Sequence, residues 1–330
     1  ARHLVRAADG TPITVDTLRI THSQPWAAYN AAQCEEKDRV QIILRSLCER
    51  VPNPDLRGRP GRPRHALGDI IFAACMKTFV GMSGRRATSD IRASAAKGLI
   101  DKAPSYNSIF DYLADPELTP ILKQLIRVSA SPLATIETNF AIDGTGFGSL
   151  VYDRWYDEKY GKLKREAKWV KLHAICGVRT NIITSVEVTD AKLHDSPLLP
   201  QLVAETAETF TMAEVSADKG YLGAANLKAI EGVGAVPYVA FKSNSKPRGS
   251  DEWQRAFHMF AFHREQWLEH YGLRSNIESS WSALKRLMGA RVRSRLPVTM
   301  ANEALTKVLV FNASRLVHAI HELGVEPQFW

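Results

Sequence analysis

The sequence has no CxxC pair and no Cys/His spacing of a zinc site, and its four cysteines, Cys34, Cys48, Cys75 and Cys176, lie far apart. That excludes a thiolate zinc centre and a disulfide framework, and the four read as reduced core residues of an intracellular protein. Long apolar runs are missing too: the longest clusters, such as IIFAAC and VLVF, are the size of core segments and too short to span a bilayer. No signal peptide opens the chain, which starts on Ala rather than Met and so reads as processed or cut back. Coiled-coil heptads are absent. Acidic charge is in deficit, 35 Asp and Glu against 43 Lys and Arg, and the net charge of +8 favours a polyanionic partner. What is plentiful is core: 45% hydrophobic residues over 330 positions suit two domains or one large one.

Residues 1–50 are mixed in character, with QIILRSLCER reading as a short amphipathic helix. DLRGRPGRPRH, residues 55–65, is too rich in Pro, Gly and Arg to pack; it reads as a basic linker or as an arm whose Arg59 and Arg62 enter a DNA minor groove. From Leu67 the period becomes helical, and helices are expected to about Gly81, from Gly84 to about Lys97, from Tyr106 to about Leu113 behind a Ser105 cap, and through ELTPILKQLIRVSA. Short helices with Arg85 and Arg86 on the second and Asn107 and Ser108 opening the third are compatible with a helix-turn-helix DNA reader, and equally with any small helical bundle.

Near Asn139 the period changes to that of strands: FAIDGTGF, KWVKLHAICGV and NIITSVEVTD, then a helix opened by Ser196-Pro197, a strand in TMAEVSADKGY, a helix in AANLKAIEG and a strand in AVPYVAFK. Three strands, then helix, strand, helix, strand and a long final helix is the order of a ribonuclease-H-like α/β domain with a mixed sheet flanked by helices. The expected organisation is an N-terminal segment and basic linker at 1–66, an all-helical helix-turn-helix-type DNA-binding region at 67–137, and the α/β domain at 138–330. Insertions are expected in the last at about 151–167 and 243–262, followed by a C-terminal helix.

The stretch YGLRSNIESSWSALK, residues 271–285, carries the most chemistry. On a 3.6-residue helix Tyr271, Arg274, Glu278 and Lys285 fall within about 60° of one another. A phenol, two cations and one carboxylate on a single face suit a helix laid against phosphates and a metal. Ser275-x-x-Glu278 is also a capping box, which would make Glu278 part of a helix start, and Gly272 weakens any helix through it. Two further acids stand at strand ends, Asp143 and Asp218. In the strand order above, the first and fourth strands are neighbours, so these carboxylates converge across 75 positions. With Glu278 they form a hard-oxygen set suited to two Mg²⁺ ions, Mn²⁺ substituting. Gly144, Gly146 and Gly220 would let a bulky backbone approach. Taken singly, Asp143 is also a hairpin Asp-Gly and Asp218 an ordinary strand-end acid. Asp195 is either an acid near this site or the N-cap of the helix at Ser196. Trp253 is a candidate for stacking on an extruded base, and Trp267 reads as core.

Tyr271-x₂-Arg274-x₃-Glu278-x₆-Lys285 resembles the Tyr-Arg-Glu-Lys signature of bacterial insertion-sequence DDE transposases, and AIDGTGF and SADKGY resemble the segments carrying that family's two aspartates. The likeness runs over about residues 140–325 and includes WVKLHAICGVRT, the LHDSP turn and NEALTKVLVFN. It implies a catalytic, metal-binding triad of Asp143, Asp218 and Glu278, with Tyr271, Arg274 and Lys285 gripping phosphates; separately, the basic RVRSR segment after Gly289 makes Arg291 and Arg293 expected DNA contacts. The likeness implies cut-and-paste chemistry on double-stranded DNA, at terminal inverted repeats and then at a target, by a homodimer in the cytoplasm at the nucleoid, with no membrane partner. Only 59 residues separate Asp218 from Glu278, where some relatives carry a long β-rich insertion. A transposase-derived DNA-binding protein that no longer cuts, and a ribonuclease-H-type structure-specific nuclease, are the alternatives.

Overall fold

A computed structural model describes residues 2–6, 12–16, 25–53, 64–149, 159, 167–190 and 193–330. The expected arm residues Arg59 and Arg62, and nearly all of the 151–167 insertion, lie outside the described residues. At the N-terminus β1 (Arg2–Arg6) and β2 (Pro12–Asp16) pair antiparallel. The short helix expected in QIILRSLCER is the end of a longer one, α1 (Trp26–Cys48). Four helices follow as the periodicity predicts: α2 (Leu67–Phe79), α3 (Gly84–Ala96), α4 (Tyr106–Leu113) and α5 (Leu118–Ala130). Ser83 and Ser105 cap α3 and α4 by accepting from the Arg86 and Ser108 amides. Gly81 and Gly98 end α2 and α3 at φ of 66° and 73°, a left-handed turn that side chains resist.

The α/β part begins with an antiparallel meander of β3 (Asn139–Ser149), β4 (Trp169–Gly177) and β5 (Ile183–Asp190). After a 3₁₀ turn at Ser196–Leu198 come α6 (Leu199–Ala207), β6 (Glu214–Ala217), α7 (Ala224–Gly232) and β7 (Val236–Val239). Both late strands run parallel to β3, giving the order β5-β4-β3-β6-β7. This is the ribonuclease-H-like order expected from the sequence. The segment expected as a second insertion holds α8 (Asp251–Phe262), followed by α9 (Arg264–Tyr271), a 3₁₀ turn at Gly272–Arg274 and α10 (Ser275–Met288). A two-residue strand, β8 (Arg291–Val292), pairs with the far end of β3, and α11 (Pro297–Leu323) closes the chain.

α11 is the spine. It is buried over most of its length and packs against α1, α2 and α5 on one side and the sheet on the other. Two buried asparagines bind these layers by hydrogen bonds as well as by apolar contact. Asn302 accepts from the Thr119 hydroxyl at 2.7 Å and donates to the Leu113 and Asp115 carbonyls, both at 3.0 Å. Asn312 accepts from the Ile183 amide at 3.0 Å and donates to the Ile183 carbonyl at 2.7 Å and the Ser129 hydroxyl at 2.9 Å. The helical region is thus fastened to the sheet edge at β5. Cys48, Cys75 and Cys176 are buried free thiols, as expected for core cysteines, but Cys34 is exposed on α1.

Asn312→Ala strands the Ile183 amide and carbonyl without partners in a dry interface. It is expected to cost about 3 kcal/mol of stability, with a lowered midpoint in urea denaturation.

Candidate active site

The register of β3 and β6 sets two of the acids. Ile142 pairs with Ala217 as the last partners of a parallel ladder, so Asp143 and Asp218 are the next residues on adjacent strands. β6 ends there because Asp218 turns the chain into a 3₁₀ turn, its carboxylate accepting from the Lys219 amide at 2.5 Å. β3 runs on, and β8 takes up its edge only at Gly148 and Ser149. Between Ile142 and Gly148 that edge carries no strand among the described residues; the 3₁₀ turn at Gly272–Arg274 and α10 pack against β3, and α10 also touches β4.

Across this gap lie the signature residues. The chain is not one continuous α-helix from 271 to 285: Gly272 begins a 3₁₀ turn between α9 and α10. The capping box does not form, because Arg274 and Ser275 are already helical and the Ser275 hydroxyl donates to the Gly272 carbonyl at 3.0 Å. Glu278 instead receives the Arg274 guanidinium at 2.5 Å. Arg274 also lies 5.7 Å from the centre of the Tyr271 ring, which stacks on the buried Trp267 at 4.3 Å. Lys285 reaches over Phe147 at 5.4 Å, on the β3 face that carries Asp143.

The electrostatics link these groups. Burial pushes the Asp143 carboxyl above its usual range; the Gly144 amide and Arg274 oppose this, and the charges of Glu278 and Asp195 add to it. Burial likewise lowers the Lys285 ammonium, opposed by Asp143. Burial works against the Arg274 cation, but the bond to Glu278, with Tyr271 and Asp218, outweighs it and holds the group above its ordinary value. Burial raises the Tyr271 phenol, with Asp218 and Glu278 acting in the same sense. Charge thus couples Asp143 with Arg274, Glu278 and Lys285, and couples Asp218 with Arg274 and Tyr271.

Five residues near these acids were weighed differently or missed by sequence reasoning. Asp195 makes no capping bond; it pairs with Lys171 and lies 3.4 Å from Nδ1 of the fully buried His173. These two side chains of β4 face Gly144, where a Cβ would meet Lys171 at 3.2 Å, His173 at 3.3 Å and Asp195 at 3.5 Å. Tyr221, in the turn after Asp218, is buried next to Asp195, Asp143 and Asp218, which with burial raise its phenol. Trp169 covers Gly146 and Gly148. The space at Gly144 and Gly146 is thus filled by β4 side chains rather than left for DNA, whereas Gly220 is open. The signal was there to find: Trp169, Lys171 and His173 alternate along β4 opposite three alternating glycines.

Other expected DNA contacts sit elsewhere. Arg85 lies over the Tyr106 ring at 5.2 Å beside exposed Arg86 and Asn107, and the Ser108 hydroxyl is bonded to that of Ser105. Arg291 and Arg293, with Lys77, Arg286 and Lys307, line a cationic cavity of about 480 Å³ between α2 and the end of α10, where Arg293 donates to the Gly81 carbonyl at 2.8 Å. Trp253 packs edge-on against Phe241 at 5.0 Å and donates to the Lys246 carbonyl at 2.9 Å, and Trp267 is core as expected.

The profile of the transposase DDE domain matches residues 136–313. The chain belongs to the DDE transposases. No curated protein matches its sequence. Among solved structures, the cryo-EM structure of the piggyBac transposase synaptic complex with hairpin DNA is similar at 12% identity and a TM-score of 0.43, over 93% of this chain and 78% of that one. DDE transposases cleave DNA and transfer its strands using divalent metal ions. The residues of this transposase fit such ions in chemistry: the carboxylates of Asp143, Asp218 and Glu278 are hard oxygen donors, and two buried polar atoms, Tyr221 Oη and His173 Nδ1, have no hydrogen-bond partners among the described residues. As the side chains stand, no three His, Cys, Asp or Glu among the described residues converge closely enough to hold an ion, and Glu278 is engaged by Arg274. No described helix is long and apolar enough to cross a membrane.

A carboxyl whose folded pKa lies above its unfolded value binds its proton more tightly when folded, so stability falls as pH rises through that interval. Asp143→Asn removes this effect and is expected to raise the melting temperature at neutral pH in chelator, the gain vanishing below about pH 4. Added Mg²⁺ is expected to stabilise the wild type and not the variant, as read by scanning fluorimetry.

Proposed function

We propose that this DDE transposase excises an insertion sequence by cut-and-paste chemistry, acting first at terminal inverted repeats and then at target DNA. The observation that carries the reading is the parallel β3–β6 register, which puts Asp143 beside Asp218 under the turn leading to Glu278. In this reading Asp143, Asp218 and Glu278 hold two Mg²⁺ ions, and Mn²⁺ substitutes. When bound, such ions lower the pKa of the attacking water or 3′-hydroxyl and steady the leaving oxygen.

The protein's own part is to orient the phosphodiester. Arg274, at the charges of Glu278 and Asp218, is placed to exchange its carboxylate for a phosphate oxygen as DNA arrives, which releases Glu278 toward the two aspartates. Lys285, next to Asp143, offers a second cation to the same backbone. Tyr271 is pinned by Trp267 and holds Arg274 from below. Water attacks phosphorus in line and the P–O3′ bond breaks, leaving a 3′-hydroxyl; that oxygen then attacks a target phosphodiester, so one bond forms for each one broken. In the same proposal residues 67–137 with Arg85, Arg86, Asn107 and Ser108 read the element end. Arg59 and Arg62 follow its minor groove, Arg291 and Arg293 contact its backbone, and a homodimer brings two ends together at the nucleoid.

Asp143→Ala, Asp218→Ala and Glu278→Ala are each expected to keep affinity for duplex DNA while slowing Mg²⁺-dependent strand cleavage about a thousandfold or more, roughly 4 kcal/mol of transition-state stabilisation. A chelator should abolish wild-type cleavage in the same nicking assay. Undiminished cleavage by any of the three variants would remove that residue from the triad.

A further inference from the structure

Away from the acids, the cavity of about 480 Å³ between α2, the end of α10 and α11 carries a charge that the function above does not use. Lys77, Arg286, Arg291, Arg293 and Lys307 line it against one carboxylate, Glu303. That carboxylate is engaged. It accepts from the Arg293 amide at 3.0 Å, the Ser294 amide at 2.9 Å and the Ser294 hydroxyl at 2.6 Å. Burial works against its charge, but Lys77 and these bonds outweigh it and hold the carboxyl below its ordinary value.

The three arginines are exposed at the mouth, whereas the lysines are recessed, Lys77 at 6% and Lys307 at 4% exposure. An ammonium has three N–H donors. Lys307 directs two of its own at the Met288 and Gly289 carbonyls and so caps the end of α10. Lys77 has no such use. Its Nζ lies 5.7 Å from the centre of the Phe110 ring, and no hydrogen-bond acceptor among the described residues reaches it. Burying a cation without an acceptor is costly. Burial accordingly lowers both ammoniums, Lys307 to about 8, with Glu303 opposing and Arg293 adding to the effect. An anion seated beside them would offset that cost.

Duplex DNA presents its phosphates on a convex surface, which can meet the exposed Arg291 and Arg293 but not lysines more than nine-tenths buried. A free anion can enter. One orthophosphate would leave most of the hollow and its cations unused, and the volume lies within the roughly 300–1,000 Å³ of small-molecule sites. We infer that this cavity binds a free oligophosphate, two or more linked phosphates as an inorganic chain or as the tail of a nucleotide, with one phosphate on Lys77 and Lys307 and the others on Arg286, Arg291 and Arg293. Met82 and Leu287, each 45% exposed, form an apolar lip on which a nucleoside would rest. Lys77 belongs to α2 of the helical region and Arg286 to α10, the helix of Glu278 and Lys285, so the anion would tie the two together. The inference is independent of the triad and holds whether or not the acids cut DNA.

The test titrates the full chain, in chelator and without DNA, with orthophosphate, pyrophosphate and ADP by isothermal calorimetry. Pyrophosphate and ADP are expected to bind at one site at least about tenfold tighter than orthophosphate, equivalent to about 1.4 kcal/mol, and to raise the melting temperature. Lys77→Met keeps the side chain's bulk and drops its charge. It should melt no lower than the wild type in anion-free buffer, because a buried cation is replaced by an apolar group, and bind pyrophosphate about tenfold more weakly. Arg286→Ala, at an exposed position that folding does not depend on, should weaken pyrophosphate about threefold. Tighter binding of ADP than of pyrophosphate would identify a nucleotide as the source and the reverse an inorganic chain; either supports the inference. It is overturned by a wild type that binds neither, by orthophosphate binding as well as pyrophosphate, or by unchanged pyrophosphate affinity in either variant. It is overturned too if Lys77→Met loses affinity for duplex DNA while no oligophosphate binds, which would assign the cavity to the DNA backbone. Each of these results leaves the nicking assay of the triad variants unaffected.

Discussion

Four parallel backbone pairings, Asn139 to Ile142 against Glu214 to Ala217, bring together residues more than seventy positions apart, and the candidate active site is built on where that ladder stops. Parallel strands need a crossover, here β4, β5 and α6, so the pairing forms only when the first half of the α/β domain is in place. Had β6 continued, its next residues would have paired with β3 and filled the edge. Instead Asp218 turns the chain away and β8 returns only at Gly148, so both aspartates stand just past the end of the shared ladder.

Alternation along β3 divides what surrounds that edge. Asp143 and Phe147 look to one face, under Lys285, while Gly144, Gly146 and Gly148 look to the other, under His173, Lys171 and Trp169. Glycine at three alternate positions weakens a strand, and β3 tolerates it because β4 side chains supply the missing surface. The sheet in turn rests on α11, whose asparagines carry hydrogen bonds through a layer that would otherwise be purely apolar. Directional bonds at Asn302 and Asn312 fix the position of the helical region over the sheet more narrowly than hydrophobic contact alone.

Much of this was legible in the residues. Helices α2 and α3 end at Gly81 and Gly98, and α3 and α4 begin behind Ser83 and Ser105, since caps and left-handed turns are local chemistry. Strand order followed from the alternation of periods after Asn139. What local rules missed depended on partners distant in sequence. Asp195 beside Ser196-Pro197 has the look of an N-cap, yet Lys171, 24 positions earlier, draws its carboxylate to the sheet. Ser275 and Glu278 have capping-box spacing, but the 3₁₀ turn begun at Gly272 carries helical backbone through Arg274 and leaves nothing to cap. Trp169 looked like any strand aromatic. Only the cross-strand register, setting it over glycines at an open edge, distinguishes it from core.

The Arg274–Glu278 pair shows how a site of this kind can be stable before it is used. Burial raises the Asp143 carboxyl, and the charges of Glu278 and Asp195 add to that cost. The guanidinium neutralises Glu278, the acid carried by α10 rather than by the sheet. Glu278 is more than half exposed, at 53%, which keeps the pair weak through solvent screening and side-chain entropy. A strong buried pair would hold the acid away permanently; a screened one is the kind that the exchange proposed above, carboxylate for phosphate at Arg274, calls for.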